Sequence, residues 1–149
     1  MISNVTSCAI SGIDGVVVQV ESDVSNGLPS FTTVGLPDGA VRESRERVKA
    51  AIKNSGYPFQ NKRITINLSP GDIRKEGTTF DLPIALGLLI CNGIIKQHAL
   101  EGTMVAGELS LDGSVRKISG VLSIALEAKK TGMSTIIIPR ENHDEALLV

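Results

Sequence analysis

The sequence predicts one α/β (α+β) domain occupying residues 1–149. Three observations carry this. Apolar periodicity switches between two and 3.6 several times along the chain. Both tight-turn signals and helical segments separate the β-rich runs, so hairpins and crossovers are mixed. Finally, 149 residues at 42% hydrophobic content suit a single core that needs neither disulfide nor structural metal.

The elements follow in order. Residues 5–10 and 16–20 are β-rich and flank Ser11-Gly12-Ile13-Asp14-Gly15, a turn-forming stretch. A short strand is expected at residues 31–34, between Asn26-Gly27-Leu28-Pro29 and Gly35-Leu36-Pro37. From Asp38, an N-cap residue type, a helix to Asn54 places Val41, Val48, Ala51 and Ile52 on one side, and Ser55-Gly56 with Pro58 stops it. Residues 64–68 alternate apolar and polar as a half-buried strand does, and a polar, basic loop covers residues 69–79.

Residues 82–91 read as a buried helix with Pro83 in its first turn, where a missing N–H costs little. Residues 104–111 and 115–118 flank Asp112-Gly113, a hairpin signal. A second amphipathic helix over 121–130 is closed by Gly132, and residues 135–138 form a β-branched strand ending at Pro139. A helix-like run over 141–149 ends on Ala-Leu-Leu-Val, which reads as a cut inside a longer protein.

Composition narrows the function classes. Cys8 and Cys91 have no Cys-x-x-Cys or Cys-His spacing, so a reducing cytoplasm is expected rather than a disulfide framework or zinc site. The longest apolar stretch, 82–95, is interrupted by Gly87, Asn92 and Gly93 and is too short for a membrane span. No basic n-region precedes the first apolar residues, so no signal peptide is read. The aromatic set is only Phe31, Phe59, Phe80 and Tyr57, which argues against a single-strand module built on stacked rings.

The net charge of −1 conceals an asymmetry. Between Arg42 and Lys75 lie nine basic residues (Arg42, Arg45, Arg47, Lys49, Lys53, Lys62, Arg63, Arg74 and Lys75) and three acidic ones (Glu43, Glu46 and Asp72). That segment is +6 and the remainder −7. At 100° per residue, Arg42, Arg45, Lys49 and Lys53 fall within about a quarter of the helix circumference. The stripe reads as a footprint for a polyanion such as nucleic-acid phosphate. It also reads as a solvated face neutralised by Glu43 and Glu46, or as a surface that pairs with the acidic part of another copy.

Catalytic motifs are sparse. Gly71-Asp-Ile-Arg-Lys-Glu-Gly77-Thr-Thr has neither P-loop spacing nor a Gly-Lys pair, so no ATP hydrolysis is expected of this chain alone. His98 and His143 have no partner at metal-ligand spacing. Asp72, Glu76 and Asp81 supply oxygen ligand types, but interleaved Arg74 and Lys75 favour a structural loop; no metal site is assigned. Thr78 and Thr79 offer hydroxyls, which are weak nucleophiles without a positioned base.

Four strings carry a resemblance: Gly27-Leu-Pro-Ser-Phe-Thr-Thr-Val-Gly-Leu-Pro-Asp38, Val41-Arg-Glu-Ser-Arg-Glu-Arg-Val48, Arg63-Ile-Thr-Ile-Asn-Leu-Ser-Pro70 and Arg74-Lys-Glu-Gly-Thr-Thr-Phe-Asp-Leu-Pro-Ile-Ala85. Together they make the chain similar to the N-terminal domain of the ComM/YifB proteins, magnesium-chelatase-like bacterial AAA+ ATPases. The resemblance covers essentially the whole chain. It implies a fold like the Lon protease proteolytic domain, with a mixed sheet and packed helices. It also implies a following AAA+ module that holds ATP and magnesium, hexameric assembly with neighbouring protomers, and helicase action in branch migration when transforming DNA recombines.

Under the Lon likeness, the segment from Gly107 to Val121 corresponds to the stretch before the catalytic lysine, and Lys75-Glu-Gly-Thr-Thr79 to the nucleophile loop. Thr79 then stands at the serine position and Ile124 at the lysine position. A Ser-Lys dyad requires a lysine with depressed pKa, a role Ile124 cannot fill. The resemblance therefore implies a non-catalytic domain, with peptidase action through Thr79 as a remote rival. The residues expected to contact DNA phosphates or a neighbouring subunit are Arg42, Arg45, Lys49, Lys53, Arg63, Arg74 and Lys75, with Arg47 and Lys62 as further candidates. Such DNA contact would be sequence-nonspecific.

Overall fold

The computed structural model describes residues 1–149. A long hairpin forms its centre: β1 (Ile2–Ser11) pairs antiparallel with β2 (Asp14–Ser25) over ten residue pairs. The strands run well past the expected 5–10 and 16–20. The extension of β2 carries Glu21, Asp23 and Ser25, polar residues that β4 (Arg63–Ser69) holds in strand form by pairing antiparallel with Gln19 through Ser25. Cross-strand pairing therefore overrides the weak local β-propensity of Asp and Ser.

β3 (Ser30–Val34) lies parallel to β4 at one edge. On the other side of β1, parallel β5 (Thr103–Val105) and β8 (Thr135–Ile137) complete a six-stranded mixed sheet of order β3-β4-β2-β1-β5-β8. The expected single strand over 104–111 is broken. β5 ends at Val105, and β6 (Glu108–Leu109) turns into a separate ribbon with β7 (Val115–Arg116). The break falls at Gly107, where a Cβ would lie 2.9 Å from the Val115 side chain, so the chain bends where packing admits no side chain. The expected Asp112-Gly113 hairpin forms, but its return strand is two residues rather than 115–118.

Helix α1 (Gly39–Asn54) begins as expected, with Asp38 Oδ1 accepting the Val41 N–H at 2.8 Å. Helix α2 (Asp81–Cys91) packs on the same sheet face. Between them and the strands sits a cluster of 19 buried residues, including Val18, Val20, Val48, Ile66, Leu68 and Ile84. Gly87 of α2 comes so close that an added Cβ would stand 2.7 Å from Ser22 Oγ, and its carbonyl accepts the Ser3 hydroxyl at 2.8 Å. Small side chains on β1 and β2 thus set the helix–sheet distance.

Strand alternation turns Cys8 to the opposite face. There α3 (Val121–Lys130) covers Cys8, Met104 and Ala106 with Val121, Ile124 and Ala128. The run over 141–149 is only partly helical: a 3₁₀ turn (Arg140–Asn142) leads into the single turn α4 (His143–Ala146). No helix is long and apolar enough to cross a membrane.

Candidate nucleic-acid interface

The basic stripe of α1 is real and faces outward. Arg42, Arg45 and Lys53 are exposed and Lys49 is half-buried, beside the buried face formed by Val41, Ser44, Val48, Ala51 and Ile52. Arg45 Nε lies 3.2 Å from Glu46 Oε1, so one carboxylate sits within the stripe.

The middle of this stripe overhangs an open cleft of about 260 Å³ at the β3 edge of the sheet. Arg45, Glu46 and Lys49 line it from α1, Phe31 from β3, and Phe59, Gln60 and Lys62 from the connection between α1 and β4. Helix and strand edge converge there because β3 pairs parallel with β4 and α1 crosses back between them. The Lys49 ammonium stands 5.9 Å from the centroid of the Phe59 ring, within cation–π range. Arg63, exposed at the start of β4, flanks the turn at Gly27 that precedes β3.

Arg45 and Lys49, one turn apart on α1, therefore share one cleft with Lys62 from beyond the helix, and Arg42 and Lys53 stand on adjacent turns of the same helix face. Lys62, a secondary candidate from sequence, belongs to the site. Phe31, Phe59 and Gln60 are additions that sequence reasoning did not supply. The only signal for Phe59 and Gln60 is the string Phe59-Gln-Asn-Lys-Arg63 between a helix stop and a strand, and Phe31 stands in the expected short strand 31–34.

Other candidates lie elsewhere. Arg74 is exposed on the loop between β4 and α2, 3.3 Å from Glu76, outside the cleft. Lys75 must be corrected: it has no exposed surface and its ammonium donates to the Pro70 carbonyl, so no phosphate reaches it. Its backbone is committed as well, the N–H to Leu36 O at 3.0 Å and the carbonyl to Asp38 N at 2.9 Å. Burial lowers its pKa from the ordinary lysine value. Loop closure thus converts an expected surface charge into a clamp on the turn between β3 and α1.

Arg47 is likewise structural. Its Nε and Nη2 donate to Asp81 Oδ2 and Oδ1 at 2.7 and 3.0 Å, and Asp81 is fully buried. Asp81 and Glu76 hold separate arginines rather than gathering as oxygen ligands.

Thr78 and Thr79 line a second cleft with Asp38, Cys8 and Ser119 at the start of α2. Asp38 is already engaged there, Oδ1 capping α1 and Oδ2 accepting the Gly77 N–H at 3.2 Å. Ile124, on the inner face of α3, lies in the core and is absent from the lining of this cleft.

Comparisons with known proteins agree with the fold. The family model described as subunit ChlI of Mg-chelatase matches residues 20–142. The uncharacterized protein YifB of Escherichia coli is 43% identical over 148 residues, 99% of this chain and 29% of YifB. The competence protein ComM of Haemophilus influenzae is 41% identical over 145 residues, 97% of this chain and 28% of ComM. The Lon protease of Mycolicibacterium smegmatis is more distant, 27% identical over 147 residues, 94% of this chain and 18% of that protease. The chain thus spans less than a third of the length of these relatives.

Proposed function

We propose, from the premise that this chain belongs to the ChlI-like family that includes ComM and YifB, that it is the DNA-contacting N-terminal domain of a ComM-type AAA+ ATPase. The whole protein, on this reading, is a cytoplasmic, hexameric helicase that drives branch migration as transforming DNA recombines. ATP and magnesium belong to its AAA+ module, outside this chain. The observation that carries the reading is the convergence of Arg45, Lys49 and Lys62 on one cleft with Arg42 and Lys53 beside it.

Such a surface binds by neutralising phosphates and releasing counterions, so affinity falls steeply with salt and is indifferent to base sequence. Fluorescence anisotropy of the chain with single-stranded, duplex and forked DNA at two salt concentrations tests this. Salt-sensitive binding that disappears when Arg42, Arg45, Lys49 and Lys53 are neutralised is expected. Absence of binding at low salt overturns DNA contact by this domain.

A second reading has its own support. The segment after β8, at the opposite edge of the sheet, is net negative: Glu141, Asp144 and Glu145 outweigh Arg140, five strands away from the basic edge at β3. Basic and acidic edges of successive protomers would then meet head to tail, making the domain an assembly module. Charge reversal at Arg45 and Lys49 separates the two, because loss of oligomerisation with unchanged DNA affinity favours assembly.

A further inference from the structure

Two of the three phenylalanines in the chain line the basic cleft. Phe31 and Phe59 are each half-buried, pack against the core and line the cleft. The tertiary structure thereby assembles the combination that the overall scarcity of aromatic residues argued against. We propose that the cleft between Phe31 and Phe59 seats an unpaired nucleobase of single-stranded DNA, while Arg45, Lys49 and Lys62 take the flanking phosphates. This rests on the DNA reading above and narrows it to unpaired strand.

The chemistry fits a base better than a phosphate. The volume, about 260 Å³, lies just below the range of roughly 300–1,000 Å³ typical of small-molecule sites, a scale suited to one planar ring system with its sugar outside. Glu46 in the lining, whose Oε1 pairs with Arg45, opposes a phosphate drawn into the cleft and leaves Oε2 to accept a hydrogen bond from a base amino group. The exposed Gln60 amide can donate to and accept from a base edge. Lys49, whose ammonium stands over the Phe59 ring at 5.9 Å from its centroid, supplies a cation at the cleft for the phosphate of a nucleotide seated there. In a duplex the base faces are already stacked and paired, so only an unpaired strand can fill the cleft.

The test is anisotropy of the chain against three labelled 12-mers at low salt: oligothymidine, an abasic strand of equal length, and a duplex. Oligothymidine is expected to bind about ten-fold more tightly than the abasic strand. Phe59→Leu, which keeps the packing and removes the ring, is expected to erase that difference and leave abasic affinity unchanged. Equal affinity of the unaltered chain for oligothymidine and the abasic strand overturns the base seat while leaving the basic surface standing. Failure to bind any of the three overturns both readings. A 5-iodouracil strand photocross-linked to the unaltered chain gives a check independent of folding: adducts at Phe31 or Phe59 support the seat, and adducts confined to other segments overturn it.

Discussion

Arg47 of α1 and Asp81 at the start of α2 form a two-pronged ion pair, with Nε to Oδ2 at 2.7 Å and Nη2 to Oδ1 at 3.0 Å, across 34 residues of sequence. Asp81 Oδ2 also accepts the Leu109 N–H at 3.0 Å, and Arg47 Nη2 donates to Ala40 O at 2.9 Å. One carboxylate therefore ties both helices to β6. Burial pushes its pKa up, against the lowering effect of these hydrogen bonds.

Arg47→Ala strands that carboxylate in the interior and is expected to cost about 3 kcal/mol in urea denaturation. Arg47→Met combined with Asp81→Leu removes both charges and is expected to lose less than the two single changes together. A strictly additive double variant would show that the pair does not act as a unit.

Cys8 is fully buried against α3, and burial pushes its thiol from an ordinary 9.0 up to about 11. A raised folded-state value means that the protonated thiol adds stability below pH 9, and that this contribution is lost as pH rises through 11. The loss by pH 11 is about 2 kcal/mol. Denaturant midpoints of the unaltered chain and of Cys8→Ala should therefore converge between pH 8 and 11. Parallel curves across that window would refute the assignment.

Gly35, directly after β3, has φ +103°, and a Cβ there would stand 2.0 Å from Leu68 O on the neighbouring strand. Both the backbone conformation and the approach exclude a side chain. Gly35→Ala is expected to cost more than about 2 kcal/mol, read as a lowered thermal midpoint. Unchanged melting would mean that β3 does not dock on β4 as described.

Lys75 and the α1 stripe should separate in two assays. Under limiting acetylation, mass spectrometry should find Lys53 and Lys62 modified well before Lys75. In DNA titrations, neutralising Arg42, Lys49 and Lys53 together is expected to lower the log–log salt slope by about 2–3. Lys75→Met is expected to leave it unchanged, and an equal drop in slope for that variant would place the ammonium back on the surface.

Much of the architecture was determined by local sequence. The Asp38 cap, the α1 face through Val41, Val48 and Ile52, the alternation of β4, the Asp112-Gly113 turn and the limits of α3 follow from short-range patterns, because each depends on neighbours within a few residues. Four sequence strings also sufficed to point to the family. Tertiary structure decided what depends on distant partners. The length of β2 follows from β4, and the break at Gly107 follows from Val115. It also sorted the charges, since a lysine or arginine looks alike in sequence whether solvated or enclosed. Arg47 turns inward because Asp81 is buried opposite it, Lys75 because its loop folds over it, and Lys49 stays at the surface beside Phe59. The cleft itself has no sequence motif: it exists only where β3, α1 and the approach to β4 meet.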